Sequence, residues 1–258
     1  MSYVAAKSAI RQASKIARTK QLLWNVGVLA ILAWAAWQAS DLRWSAVIRT
    51  WPYLLEALGR SWLLCSLAVA VGMLLAVPLA AGRLYGPAVV RQCCTGLIEL
   101  VRSMPELMLI FWMYFALPTL TGYSIPAWWA AIASLILIAS SHLAEVIRSG
   151  VYTVPLTQWE ASLASGLSPL QTFQYVVLPQ ALRNMLPAFL ATVVILFKTT
   201  SLVSVIGVVD FFRAIVLMNN AQFAPYPFFL TCAIVYFVCC GLLSWVLRRI
   251  DPKYVLTD

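Results

Sequence analysis

Six apolar runs of membrane-spanning length, at 22–40, 58–82, 96–118, 127–148, 185–208 and 226–248, constrain this 258-residue chain more than any other feature. A helix needs roughly 20 mostly apolar residues to cross the hydrocarbon core of a bilayer. Inside lipid every backbone N–H and C=O must find its partner within the protein, so runs of this kind fold as helices. Composition agrees: 62% of residues are hydrophobic, 10% are charged, and the mean hydropathy is +0.86. These values lie outside the range of soluble domains. The expected fold is all-α, a polytopic transmembrane helical bundle, with no room for a large soluble domain.

The cations set the expected orientation, because short cytoplasmic loops are enriched in Lys and Arg. With the N-terminus inside, the inner face receives Lys7, Arg11, Lys15, Arg18, Lys20, Arg83, Arg91, Arg148, Arg183, Arg248, Arg249 and Lys253. The outer face keeps Arg43, Arg49, Arg60 and Arg213. Six spans then put both termini and the 150–184 loop in the cytoplasm. Residues 1–20, with cations at helical spacing beside Ala6, Ala9, Ile10, Ala13 and Ile16, read as a basic interfacial helix or a solvated tail. Residues 21–51 read as a first span and an outer linker, and Trp44, Trp51 and Tyr53 within 41–56 would form an aromatic belt at the outer boundary.

Several chemistries are set aside on spacing. No lysine follows a glycine, so no phosphate-binding GxxxxGK loop is present and the chain is not expected to hydrolyse ATP itself. Cys65, Cys93, Cys94, Cys232, Cys239 and Cys240 show no CxxC spacing, and His142 is the single histidine, which argues against disulfides, metal clusters and nucleophile-His-acid triads. The net charge of +9 follows from the inner-loop bias and gives no reason to expect nucleic acid.

One polar stretch interrupts the apolar pattern, TQWEASLASGLSPLQTFQYVVLPQALRNMLP from Thr157 to Pro187. Thr157 and Glu160 have the spacing of a capping box at a helix start. Gly166 can take the left-handed conformation that closes that helix. Ser168, Pro169 and Gln171 make a second start signal, and the second helix is expected to end before Leu178-Pro179.

The residues of this stretch resemble a known element. Glu160-Ala161-Ser162, then Gly166, then Val176-Val177-Leu178-Pro179 is similar to the EAA loop of bacterial ABC importer permeases. Ser162 and Val176 depart mildly from that pattern, standing where Ala and Ile are usual. The flanks also resemble the polar amino acid subgroup of these permeases. Tyr53-Leu54-Leu55-Glu56-Ala57-Leu58 is similar to its opening segment, and the run from Glu99, Arg102, Ser103, Met104 and Pro105 to its FRGTPLL stretch. In that run Glu106 replaces an apolar residue, and Pro105 reads as a packed kink or as a gating or pathway element. The segment around His142 and Glu145 is similar to AYLAEIIRGG. The segment from Leu196 to Val208 is similar to LLKDTSLVSVIGV, with Thr199 in place of the aspartate.

The resemblance implies a five-span permease domain over residues 52–258 with one added N-terminal span. It implies a multi-pass subunit of the bacterial inner (plasma) membrane in a binding-protein-dependent importer of polar amino acids. The implied partners are two copies of an ABC ATP-binding subunit, a second permease, identical or related, and a periplasmic or external amino-acid-binding protein. ATP and Mg would act on the partner ATPase, and this chain would bind no cofactor. Thr157, Glu160, Ala161, Ser162, Gly166, Leu178 and Pro179 would form the ATPase-coupling loop.

Arg102, His142, Glu145, Lys198 and Thr199 are the candidates for the translocation pathway or substrate contact, because ionisable groups within spans are functional candidates. Glu99 with Arg102, and Glu145 with Arg148, are spaced to pair along one helix. His142 reads as a satisfied interhelical histidine or as a pathway group. Lys198, lacking the adjacent acid, either pairs with Glu145 or faces substrate. The second alternative favours glutamate, aspartate or glutamine over arginine and lysine. An ion-gradient-driven secondary amino acid transporter is the alternative class. It would call for several intramembrane carboxylates and an inverted repeat.

Overall fold

The computed structural model describes residues 44–250, and among these every regular element is helical. In chain order they are α1 (Trp44–Tyr85), α2 (Ala88–Ser103), α3 (Glu106–Thr121), α4 (Ala127–Tyr152), α5 (Leu156–Ala164), α6 (Pro169–Ile206), α7 (Phe211–Gln222) and α8 (Pro225–Ile250). Four described helices, α1, α4, α6 and α8, are long and apolar enough to cross a membrane; the bent pair α2 and α3 makes a fifth if it counts as one span. The tail 1–20, the apolar run 22–40, the outer cations' first member Arg43, and Lys253 lie outside the described residues, as do the side chains of Arg248 and Arg249.

The long helices pack through small residues. Ala68 and Ala76 of α1 meet Leu135, Ile138, Ala139 and Leu143 of α4, and Leu196, Phe197 and Val203 of α6 join the same core. Lipid tails are as apolar as leucine, so close van der Waals contact, not expulsion from water, holds such helices together, and small side chains allow it. A second cluster ties the start of α1 to the far end of the bundle, with Val47, Leu54 and Ala57 against Phe211 and Phe228. Asp210 is fully buried and caps α7, its carboxylate oxygens accepting from the backbone N–H groups of Phe212 (3.1 Å) and Arg213 (2.9 Å). The Phe211 N–H is donated to Ser61 Oγ of α1 at 2.9 Å. Burial pushes the Asp210 carboxyl up to about 6 despite these bonds.

The structure corrects three boundaries drawn from hydropathy. The second run does not start at residue 58: α1 begins at Trp44, so Trp44 and Trp51 lie on a helix and not in a linker. Val47, Leu54, Ala57, Ser61 and Leu64 recur at helical spacing and are buried, a stripe that packing stabilises even where mean hydropathy is low. The third run, 96–118, is not one straight span. α2 starts at Ala88, and the chain bends by 105° between α2 and α3. Met104 is extended (φ −85°, ψ 143°) because the residue before a proline is pushed out of the helical region, and Pro105 has no N–H to continue the ladder.

The third correction concerns the loop. The helix begun at Pro169 does not end before Leu178-Pro179 but continues into the fifth apolar run. A π-turn over Phe173–Val177, in which the Leu178 N–H reaches the carbonyl of Phe173, admits the proline without a break. Pro179 then lies in the first turn of the following α segment, where a missing N–H costs little.

Candidate functional site

The polar loop is a two-helix hairpin fixed to the ends of the long helices. Gly150, near the end of α4, sits so close to α6 that a Cβ there would stand 2.7 Å from the Cβ of Met185. That approach brings Val151, Val154, Val177 and Ala181 into one buried cluster, against which Leu84, Trp159 and Phe173 pack. Asn184 Nδ2 donates to Thr153 Oγ at 3.0 Å and closes the base. A helix as short as α5 is marginal alone in water, so these contacts are what hold it.

The Thr157–Glu160 capping box is not formed. α5 begins directly after Pro155, whose fixed φ of −56° leads into the helix, so Thr157 falls inside the first turn and its hydroxyl is not at the cap position. Thr157, Glu160 and Ala161 are exposed instead, beside the exposed Leu156, Leu163 and Leu170. Gly166 does close the helix, at φ +86°. The Gly166 N–H is donated to Leu163 and the Leu167 N–H to Ser162, the paired bonds of a Schellman turn, in open space where only the backbone angle asks for glycine. The capping box that does form is Ser168 with Gln171, through bonds of 3.3 and 2.9 Å. Ser162 is buried and donates to the Trp159 carbonyl while meeting Thr172 Oγ at 3.1 Å, which ties α5 to the start of α6. Leu178 and Pro179 lie beyond the hairpin, on α6 itself.

A second constellation stands at the ends of α1, α2 and α4. Glu145 accepts from Arg148 Nε at 3.0 Å and from Arg83 at 3.1 Å, with Arg102 at 3.6 Å. Arg83 also bonds Glu99 at 3.1 Å. The expected Glu145 to Arg148 pair is thus present. The expected Glu99 to Arg102 pair is not, because each finds its partner across a helix boundary. Gly86 and Pro87 turn α1 back into α2 and bring Arg83 over Glu99, while Arg102 faces α4. The sequence reading missed Arg83 as a member of this cluster; its place in the last turn of a long apolar helix was the available signal.

The third constellation lies at the bend. Glu106, first residue of α3, accepts from Thr199 Oγ at 2.7 Å, and its other oxygen is 4.0 Å from His142 Nε2. The acid that Thr199 displaces in the resembled segment therefore returns from another helix. Lys198 turns away from this group. It is exposed and borders a cavity of about 560 Å³ between α6 and α8, with Tyr236, Cys240, Ser244 and Trp245. The expected alternative of a Lys198 to Glu145 pair is not realised, since Glu145 is engaged by three arginines.

Comparison with known proteins bears on the whole assembly of helices and loop. Residues 68–255 match the family described as binding-protein-dependent transport system inner membrane component. The chain is 36% identical over 174 residues to the probable glutamine ABC transporter permease protein GlnP of Bacillus subtilis (strain 168), covering 64% of this chain and 77% of that protein. It is 30% identical over 220 residues to the glutamate/aspartate import permease protein GltK of Escherichia coli O157:H7, covering 81% and 98%. A solved amino acid ABC transporter, crystallised with histidines, superposes with a TM-score of 0.79 at 26% identity, over 83% of this chain and 99% of that one. A family match over most of the chain, a relative covered nearly end to end and a shared helical fold agree: this chain belongs to the binding-protein-dependent transport system inner membrane components, the permeases of ABC importers.

Proposed function

We propose that this permease moves polar amino acids inward across the bacterial inner membrane, driven by ATP hydrolysis on two copies of a separate ATP-binding subunit that hold the ATP and Mg. The observation that supports this most directly is the docked hairpin. It presents Glu160 and Ala161, with Leu156, Leu163 and Leu170, on an exposed surface, while Ser162, Gly166 and the cluster around Val177 fix that surface to α4 and α6. Closure of the ATPase dimer would pass through such a rigid lever as a rigid-body motion of the spans. A second permease, identical or related, and an external amino-acid-binding protein complete the assembly, and the permease domain spans residues 52–258.

Substrate class rests on two supports. The relatives above are named for glutamine and for glutamate and aspartate. Lys198 keeps its ammonium beside a cavity with no carboxylate within ion-pair distance among the described residues. Glutamate, aspartate and glutamine are therefore proposed ahead of arginine and lysine. In proteoliposomes holding the complete importer, ATP without any ion gradient should drive uptake. Efficient competition by arginine and lysine but not by glutamate, aspartate or glutamine would overturn the substrate class. Uptake that follows an ion gradient and ignores ATP would favour a secondary carrier.

The same reading places residues 150–184 in the cytoplasm. A single cysteine at position 168, in a background without native cysteines, should react with an impermeant thiol reagent only after the cells are opened. Labelling from outside intact cells would reverse the orientation.

A further inference from the structure

Two discontinuities of helical backbone meet inside the bundle. One is the 105° bend at Met104-Pro105, and the other is the change from α to 3-10 geometry at Thr200–Ile206 within α6. Irregular backbone at membrane depth is tolerated where it is enclosed by protein or lines a wet cavity, and broken helices commonly mark the place where a transporter holds its cargo. Glu106 and Thr199 stand at the two discontinuities and are joined by the 2.7 Å hydrogen bond.

Glu106 has no permanently charged partner among the described residues. Among the described residues no lysine or arginine comes within 4.0 Å of it. Arg102, one turn earlier in sequence, is directed to Glu145. Lys198, beside Thr199 in sequence, faces the cavity between α6 and α8. His142 is 4.0 Å away, beyond hydrogen-bond distance. Thr199 satisfies one oxygen, and the side chain keeps 30% of its surface open. A carboxylate held by one hydroxyl, largely withdrawn from water and with no lysine or arginine beside it, is costly in a membrane segment unless a cation visits it.

We propose that Glu106 is the point on the translocation pathway that recognises the α-ammonium group of the amino acid, with Thr199 as its positioning residue. The proposal rests on the importer reading above and adds the chemical group recognised within it. An ammonium offers three donors, and a carboxylate with one oxygen already fixed presents the remaining lone pairs in a defined direction. This contact is common to all α-amino acids, so it selects the backbone of the substrate and leaves its side chain to other residues.

The test uses the complete importer in proteoliposomes with ATP, and the complex without its binding protein in detergent. Radiolabelled glutamine is the probe, and its analogue lacking the α-ammonium group is the competitor. Wild type should import glutamine and, in detergent, bind it at least about tenfold better than the analogue, the size of effect expected when a buried polar group loses its partner. Glu106→Gln should cut uptake by about tenfold or more and abolish that discrimination, while Glu106→Asp should keep most of it. Thr199→Val should give an intermediate loss. Subunit ratio and elution of the purified complex should match the wild type in all three, which separates recognition from folding. Wild-type discrimination in Glu106→Gln would overturn this inference alone. Failure of the wild type to import any amino acid with ATP would instead overturn the importer reading.

Discussion

A Glu160→Lys permease is expected to fold, insert and pack as the wild type does, yet to lose about tenfold or more of its ATP-driven transport, equivalent to about 1.4 kcal/mol or more of coupling. The structure sharpens this expectation, because the carboxylate has no structural duty to lose. The helix start is made by Pro155, the Thr157–Glu160 box is absent, and Glu160 is exposed on α5. Substitutions at such surface positions change stability by about 0.5 kcal/mol or less. A large functional effect with an unchanged melting temperature therefore reports a lost contact with another subunit. Purified complex assayed for transport and for stimulated ATP hydrolysis decides the matter. Wild-type values for both would remove Glu160 from the coupling surface. A Gly166→Ala control should behave differently, since it strains a backbone at φ +86° and destabilises the hairpin itself.

What was legible in the sequence follows from the range of each force. Hydropathy located α1, α4, α6 and α8, because a bilayer imposes a length on every apolar run. Local turn chemistry located Gly166 and the Ser168 to Gln171 cap, since both depend on residues within one turn. The Thr157–Glu160 box had the same local pattern and failed, because Pro155 offered an earlier start two residues upstream. The continuation through Leu178-Pro179 was hidden for another reason. Proline rules forbid a regular α-turn there, and the chain escapes them by a π-turn whose stability comes from Val177 and Phe173 packing on α4. Cross-helix partners were not legible at all. Nothing within one segment tells that Arg83 turns to Glu99 and Glu145, or that Thr199 meets Glu106 across 93 residues of sequence. Helical spacing identified which side chains share a face, but the rotation of one helix against the next is fixed only by packing.

Glu145→Gln should be the most destabilising single change among the candidate residues, lowering the stability of the permease by about 2–3 kcal/mol. The glutamine keeps the shape of the side chain and removes only the charge. Three guanidinium groups, from Arg83, Arg102 and Arg148, then face one another across the ends of α1, α2 and α4 with Glu99 as the remaining acid. Removing one member of a fully buried pair costs about 3–5 kcal/mol; the lower figure here reflects the 22% exposure of Glu145, which lets water screen part of the repulsion. The contribution of each arginine should be unequal. Arg102 is 3.6 Å away and 38% exposed, so Arg102→Ala should cost less than about 1 kcal/mol, whereas Arg83 bridges two carboxylates at 3.1 Å and is only 18% exposed. Arg83→Ala should therefore approach the Glu145→Gln value. Because this cluster adjoins the hairpin through Leu84 and Val151, the loss should also loosen the hairpin. Thermal unfolding of the detergent-solubilised complex, followed by a Trp159 signal and by global aggregation, measures both effects. Equal melting temperatures for Glu145→Gln and wild type, or a larger loss for Arg102→Ala than for Arg83→Ala, would show that the ion cluster does not hold these three helices together.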